Sequence, residues 1–176
     1  AVCRNEADAK RAYEWIVATL TRLGLKLQPA KTRIVHLRVE GIDFLGCHLR
    51  MGQSRRIAGR WYLYRWPNRK AMAKLRTRIR EITSCRHSGM KLADVIAALN
   101  PVLRGWGEYF RNGNATLKFG MIDRHVWKRL TIFANRVRHR NHPTWTNEFN
   151  YDWFRRSGVY RLMGLIRYPA ALTRAA

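Results

Sequence analysis

Apolar side chains at Ala9, Ala12, Tyr13, Ile16, Leu20 and Leu23 recur at three- and four-residue steps, the spacing that lines one face of an α-helix. With Asn5 and Asp8 at its start and Gly24 just beyond its end, the pattern predicts a helix closed at Gly24. The period then shortens. LKL at 25–27, TRIVHL at 32–37 and GIDFLGCHL at 41–49 alternate as strands do, and so does WYLYRW at 61–66, which Pro67 ends. The residues from 50 to 60 carry Gly, Ser and Arg and read as a connection. From Lys70 to Ile82 the helical period returns: Met72, Leu75, Ile79 and Ile82 form a stripe, and Lys70, Lys74, Arg76, Arg78 and Arg80 occupy the remaining surface. After a loop at 84–89, LADVIAALN leads into a second helical run. A long helix is predicted from about Leu117 to Arg138 through Phe119, Ile122, Val126, Leu130 and Phe133. The tail, 139–176, is aromatic and basic and fits neither period. The expected class is α+β, mostly α.

The run LNPVLRGWGEYFRNG at 99–113 raises a question of its own. Val102, Leu103, Trp106, Tyr109 and Phe110 keep the helical period, Asn100 before Pro101 reads as a helix start or a kink, and Gly113 reads as a stop. Gly105 and Gly107 nevertheless each cost roughly 1 kcal/mol relative to Ala inside a helix. Bare backbone at these two positions implies that another helix packs closely, which is the first reading, or that a ligand approaches the main chain.

Charge changes the picture more than length does. Among 176 residues, 35 Lys and Arg face 11 Asp and Glu, a formal charge of +24, which points to a polyanionic partner. Between Phe44 and Arg80 there are eleven basic residues and not one acidic residue, whereas an ordinary solvated surface mixes the signs. Nucleic acid is the first candidate, since 7 Trp, 7 Tyr and 6 Phe accompany the charge; an acidic membrane surface is the second. No apolar run approaches the roughly 20 residues needed to span a bilayer, and AVCRNEADAK has no signal-peptide pattern. A soluble, intracellular and cytoplasmic protein is therefore expected.

Candidate chemistry is sparse. Cys3, Cys47 and Cys85 are odd in number and far apart, which disfavours a disulfide framework or a structural zinc site. RHRNHP at 138–143 brings His139 and His142 together, but no carboxylate or thiolate stands nearby to complete a metal site, and a basic loop facing RNA accounts for the same residues. There is no glycine-rich phosphate loop and no spacing that suggests a triad.

Taken in order, the motifs resemble a known family. LGLKLQPAKTRIVH followed by GIDFLG resembles the end of the palm of a group II intron reverse transcriptase, LNPVLRGWGEYFRNGN resembles that family's maturase-specific domain, and GVYRLMGLIRYP is similar to the end of the same domain. One departure is Glu108, where a neutral polar residue such as Asn is expected.

The resemblance implies short strands of a truncated palm at 1–52, a connector and basic thumb-like helix at 53–85, and the maturase-specific domain at 86–176. It places Lys31 and Thr32 at the palm edge and Phe44, Leu45 and Gly46 in the hairpin that grips a primer end. It gives Lys74, Arg76, Arg78 and Arg80, with Arg104 and Arg111, the role of RNA contacts, while Trp106 and Phe110 pack. The implied partners are intron RNA and an RNA/DNA duplex. A polymerase of this type also needs paired aspartates to hold two metal ions. The chain has no Asp-Asp turn, so no catalytic or metal residue and no cofactor is expected in it, and Mg2+ is implied only for an intact polymerase with a further N-terminal segment. A stand-alone basic RNA-binding protein or an inactive remnant is the alternative.

Overall fold

The computed structural model describes residues 2–29, 32–54, 57–84, 86, 89–137 and 150–167. Its elements are α1 (Glu6–Arg22), β1 (Ile42–Phe44), β2 (Cys47–Gln53), β3 (Trp61–Pro67), α2 (Arg69–Ile82), α3 (Leu92–Phe110), α4 (Thr116–Val137) and α5 (Tyr151–Arg156). The strands form one antiparallel sheet in the order β1-β2-β3, and the chain is α+β, mostly α, as expected. It divides into two compact units, one made of Ala1–Ile42 and Arg50–Leu63, the other of Asp43–Leu49 and Tyr64–Ala176.

In the first unit α1 starts where Asn5 accepts a hydrogen bond from the Asp8 amide at 2.8 Å, a cap worth about 1 kcal/mol. Ion pairs on its surface join Glu6 to Lys10 and Asp8 to Arg11. None of its residues is buried. Residues 25–27 and 32–37 are not strands. Their alternation lacks a strand to pair with: Leu37 gives only its carbonyl to the Met51 amide, at 2.9 Å, and Leu25 and Ile34 are exposed. A short alternating run without a paired neighbour has no ladder to hold it extended.

The second unit holds the core, where α2, α3 and α4 pack pairwise on one another. Met72, Leu75 and Ile79 of α2 meet Val95, Leu99 and Leu103 of α3 and Phe119, Ile122, Leu130 and Phe133 of α4. Helix α2 begins at Asn68, whose side chain accepts from the Ala71 amide at 2.9 Å. It ends at Thr83, fully buried, whose hydroxyl and carbonyl both accept from the Arg129 guanidinium at 3.0 Å.

The stretch from 99 to 113 departs from its sequence reading in three ways. Helix α3 starts at Leu92 and continues through Pro101, so Asn100 is no cap. Its amide instead reaches across the fold, donating to the Gly158 carbonyl and accepting from the Tyr160 amide, both at 2.8 Å. The helix stops at Phe110, before Gly113; at Gly113 the Arg65 carbonyl oxygen lies 2.5 Å from where a Cβ would stand, so glycine serves close packing there.

The two remaining glycines separate. A Cβ at Gly107 would meet Leu162 at 2.7 Å and Leu165 at 3.1 Å, whereas at Gly105 it would meet nothing within 4 Å. Close packing accounts for Gly107 and fails for Gly105. What approaches is the segment 158–167 rather than a helix. That segment is further tied by Asp123, whose carboxylate oxygens accept from the Leu162 and Met163 amides at 3.0 and 2.9 Å, and by the Arg111 carbonyl, which accepts from the Arg167 amide at 2.9 Å.

Candidate nucleic-acid interface

The buried stripe of α2 leaves its cations on the outside. Lys74, Arg78 and Arg80 are exposed and Arg76 is half-buried. Arg78 is engaged by Glu81 at 3.0 Å, the single acid on the helix. Arg76 and Arg80, one turn apart, lie toward α4, where they meet a group that periodicity alone did not single out. His125 of α4 has its pKa held below the ordinary histidine value, first by burial and then by the like charges of Arg76, Arg80 and Arg129; a hydrogen bond with the Arg76 backbone pulls the other way. Its Nε2 is buried without a hydrogen-bond partner. Two helices thus bring three guanidinium groups around one neutral imidazole. His125 and Arg129 are four residues apart on α4, so their shared face was legible; that this face meets α2 is a tertiary fact.

The cations of α3 are placed differently. The Arg104 guanidinium lies over the Tyr160 ring, 5.4 Å from its centroid, and is exposed. Arg111 is paired with Glu108 at 2.5 Å and is half-buried, so the residue that departs from the family pattern offsets the charge of its neighbour. Trp106 packs as expected, its ring centroid 4.7 Å from that of Phe110 and 5.4 Å from that of Phe119.

The hairpin between β1 and β2 turns through Leu45 (φ 46°) and Gly46 (φ 76°), a two-residue loop with both positions left-handed. Glycine takes that conformation freely, while a leucine there stores about 1 kcal/mol or more. The turn is held from three sides. The Tyr109 hydroxyl donates to the Leu45 carbonyl at 2.8 Å, the Asn68 amide donates to the Gly46 carbonyl at 2.9 Å, and Asp43 accepts from the Asn68 side chain at 3.3 Å while pairing with His48 at 2.7 Å. Phe44 and Leu45 are left exposed at the tip. Thr32 is half-buried, its amide donating to the Pro29 carbonyl. Lys31 and the 138–143 motif lie outside the described residues.

Among the described residues no group of three or more His, Cys, Asp or Glu is placed to share a metal ion, and no helix is long and apolar enough to cross a membrane. Residues 72–153 match the family model of the group II intron maturase-specific domain, a span that opens inside α2, covers α3 and α4 and closes in α5. A search of curated proteins gave no match. The match supports a maturase-type fragment, in agreement with the resemblance of LNPVLRGWGEYFRNGN to the same domain, and a domain of that kind implies a maturase role in intron splicing.

Proposed function

We propose that this chain is the RNA-binding part of a group II intron reverse transcriptase/maturase and that its main contact surface is the face shared by α2 and α4. One observation carries the reading: Arg76 and Arg80 of α2 lie beside His125 of α4, and Arg129, itself bonded to Thr83, adds its charge to the same place. Guanidinium groups held by two rigid helices suit the regularly spaced phosphates of a nucleic acid backbone, and such contacts position a ligand without reading its sequence. Lys74 and Arg104 are exposed cations elsewhere on α2 and α3 and would serve as further, separate phosphate contacts. Arg111, already paired with Glu108, is the weakest contributor.

In an intact protein the same surface would hold an RNA/DNA duplex during RNA-directed DNA synthesis, with the exposed Phe44 and Leu45 of the hairpin near the primer end. The metal-binding aspartates and their Mg2+ belong, in this reading, to a segment N-terminal to Ala1. The coding sequence upstream tests that part: a Tyr-x-Asp-Asp turn in frame supports a polymerase parent, and translation beginning at Ala1 removes it.

A salt titration of the purified chain with intron RNA tests the contact surface. About six phosphate contacts predict roughly a thousandfold loss of affinity between 50 and 200 mM salt. Replacing Arg76 and Arg80 by Ala should weaken binding and flatten the slope of log K against log salt by about one unit for each lost contact. An affinity indifferent to salt, or a double variant that binds as the parent does, overturns the assignment.

A further inference from the structure

Where α4 meets the segment 158–167, the surface holds a groove of about 330 Å³ lined by Gly120, Asp123, Arg124, Trp127, Arg161 and Met163. It lies apart from the face around His125, and neither the sequence motifs nor the contact surface above uses it. Gly120, Arg124 and Trp127 follow at helical steps of four and three, so they share one stripe of α4. Glycine at the first of these positions lets Met163 approach, its sulfur 3.4 Å from where a Cβ would stand.

The opposite wall is Arg161 with Met163, and its position is fixed from the floor. Asp123 is buried, and its two oxygens accept from the backbone amides of Leu162 and Met163, the residues that follow Arg161. The carboxylate anchors the strip of chain that carries one arginine, while α4 carries the other. Two exposed guanidinium groups thus flank a half-buried indole, and the one carboxylate in the groove leaves it net positive.

The geometry points to a pocket for a single unpaired nucleotide of RNA. The chemistry is that of single-strand recognition, in which a base stacks on an aromatic ring and its phosphate meets arginine, and the volume sits at the lower end of the range for small-ligand sites. A duplex keeps its bases stacked inside and has no use for the indole. The inference rests on the RNA-binding reading and gives it a second, structurally distinct contact: the face around His125 for backbone, the groove for a base turned out of a loop or a single strand.

The test uses the full chain and two probes, a mixed-sequence single-stranded RNA of twelve nucleotides carrying 5-iodouridine and a blunt RNA duplex of twelve base pairs. In R124Q/R161Q, affinity for the single strand should fall roughly tenfold further than affinity for the duplex, measured at a temperature where the melt shows the variant folded. W127A should produce the same selective loss and W127F should restore most of it. Photocrosslinks from iodouridine should fall on the peptide containing Trp127 or on Met163. Equal loss on both probes, no loss, or crosslinks confined elsewhere would overturn the pocket while leaving the backbone contact standing. Failure of the native chain to bind either probe would remove both.

Discussion

Helices α1 and α2 share the amphipathic pattern and a side-chain cap at the first turn, yet α2 buries Met72, Leu75 and Ile79 while α1 buries nothing. Trp15, on α1, is 70% exposed, and Ile79, on α2, is 0% exposed. The difference teaches that periodicity decides conformation and leaves burial to the presence of a partner surface. For α2 that surface is supplied by α3 and α4. Within the unit that contains it, α1 has no comparable layer to lie on, and its apolar groups are exposed or only half-buried.

The largest effect that sharpens this comparison is at Ile79. Truncation to Ala should destabilise the helical unit by roughly 2 to 5 kcal/mol, because a buried side chain is lost and the surrounding helices close only partly over the cavity. Denaturant unfolding followed by circular dichroism measures it, and a loss under 1 kcal/mol would break the claim that α2 is the packed member of the pair.

The two glycines of α3 give the next effect. Ala at position 105 adds helix propensity in open space and should stabilise by about 0.5 to 1 kcal/mol, while Ala at 107 must displace Leu162 and should cancel or reverse that gain. A pair of melts showing equal shifts would contradict the assignment of close approach to Gly107 alone.

Acid sensitivity follows in size. The His125 pKa is lowered on folding, so above the ordinary histidine value near 6.5 both states are neutral and nothing is lost. Below it the unfolded chain takes up a proton that the packed ring resists, and stability falls until the pH passes the folded pKa. His125→Gln should flatten the profile of Tm against pH between about 6.5 and 5 relative to the parent. Parallel profiles would show that neither burial nor the three arginines holds the imidazole neutral.

The smallest effect returns to α1. Trp15→Ser should change stability by no more than about 0.5 kcal/mol, as expected for an exposed position. A large loss would mean that this ring is covered in the isolated chain, and the contrast between the helices would disappear.

Much of the helical framework was legible because its causes are local. The stripe through Met72, Leu75 and Ile79 and the run from Phe119 to Phe133 each fix a helix within one or two residues of its observed ends. Asn100 shows the opposite case. Asn followed by Pro is locally a start signal, but its side-chain partners lie 58 and 60 residues away, and a satisfied tertiary pair outweighs a cap. The strands expected at 25–27 and 32–37 failed for the same kind of reason, since a strand is defined by its neighbour. Of the candidate interface, the cations of α2 were legible from composition. Arg129, His125 and the groove at Trp127 were not, because their significance comes from which helix faces or chain segments meet.

The segment 158–167 carries a consequence for the order of assembly. It supplies Gly158 and Tyr160 to Asn100, Leu162 and Leu165 to Gly107, two amides to Asp123 and one to the Arg111 carbonyl. These partners are separated by roughly 40 to 60 residues of chain, and during synthesis the whole of α2, α3 and α4 leaves the ribosome before the segment that covers them. The three helices can collapse on one another early, but Asn100, Gly107 and Asp123 must wait with polar groups and bare backbone uncovered until the last strip arrives. On the ribosome the nascent bundle is therefore an incomplete particle, open along one seam until residues 158–167 follow.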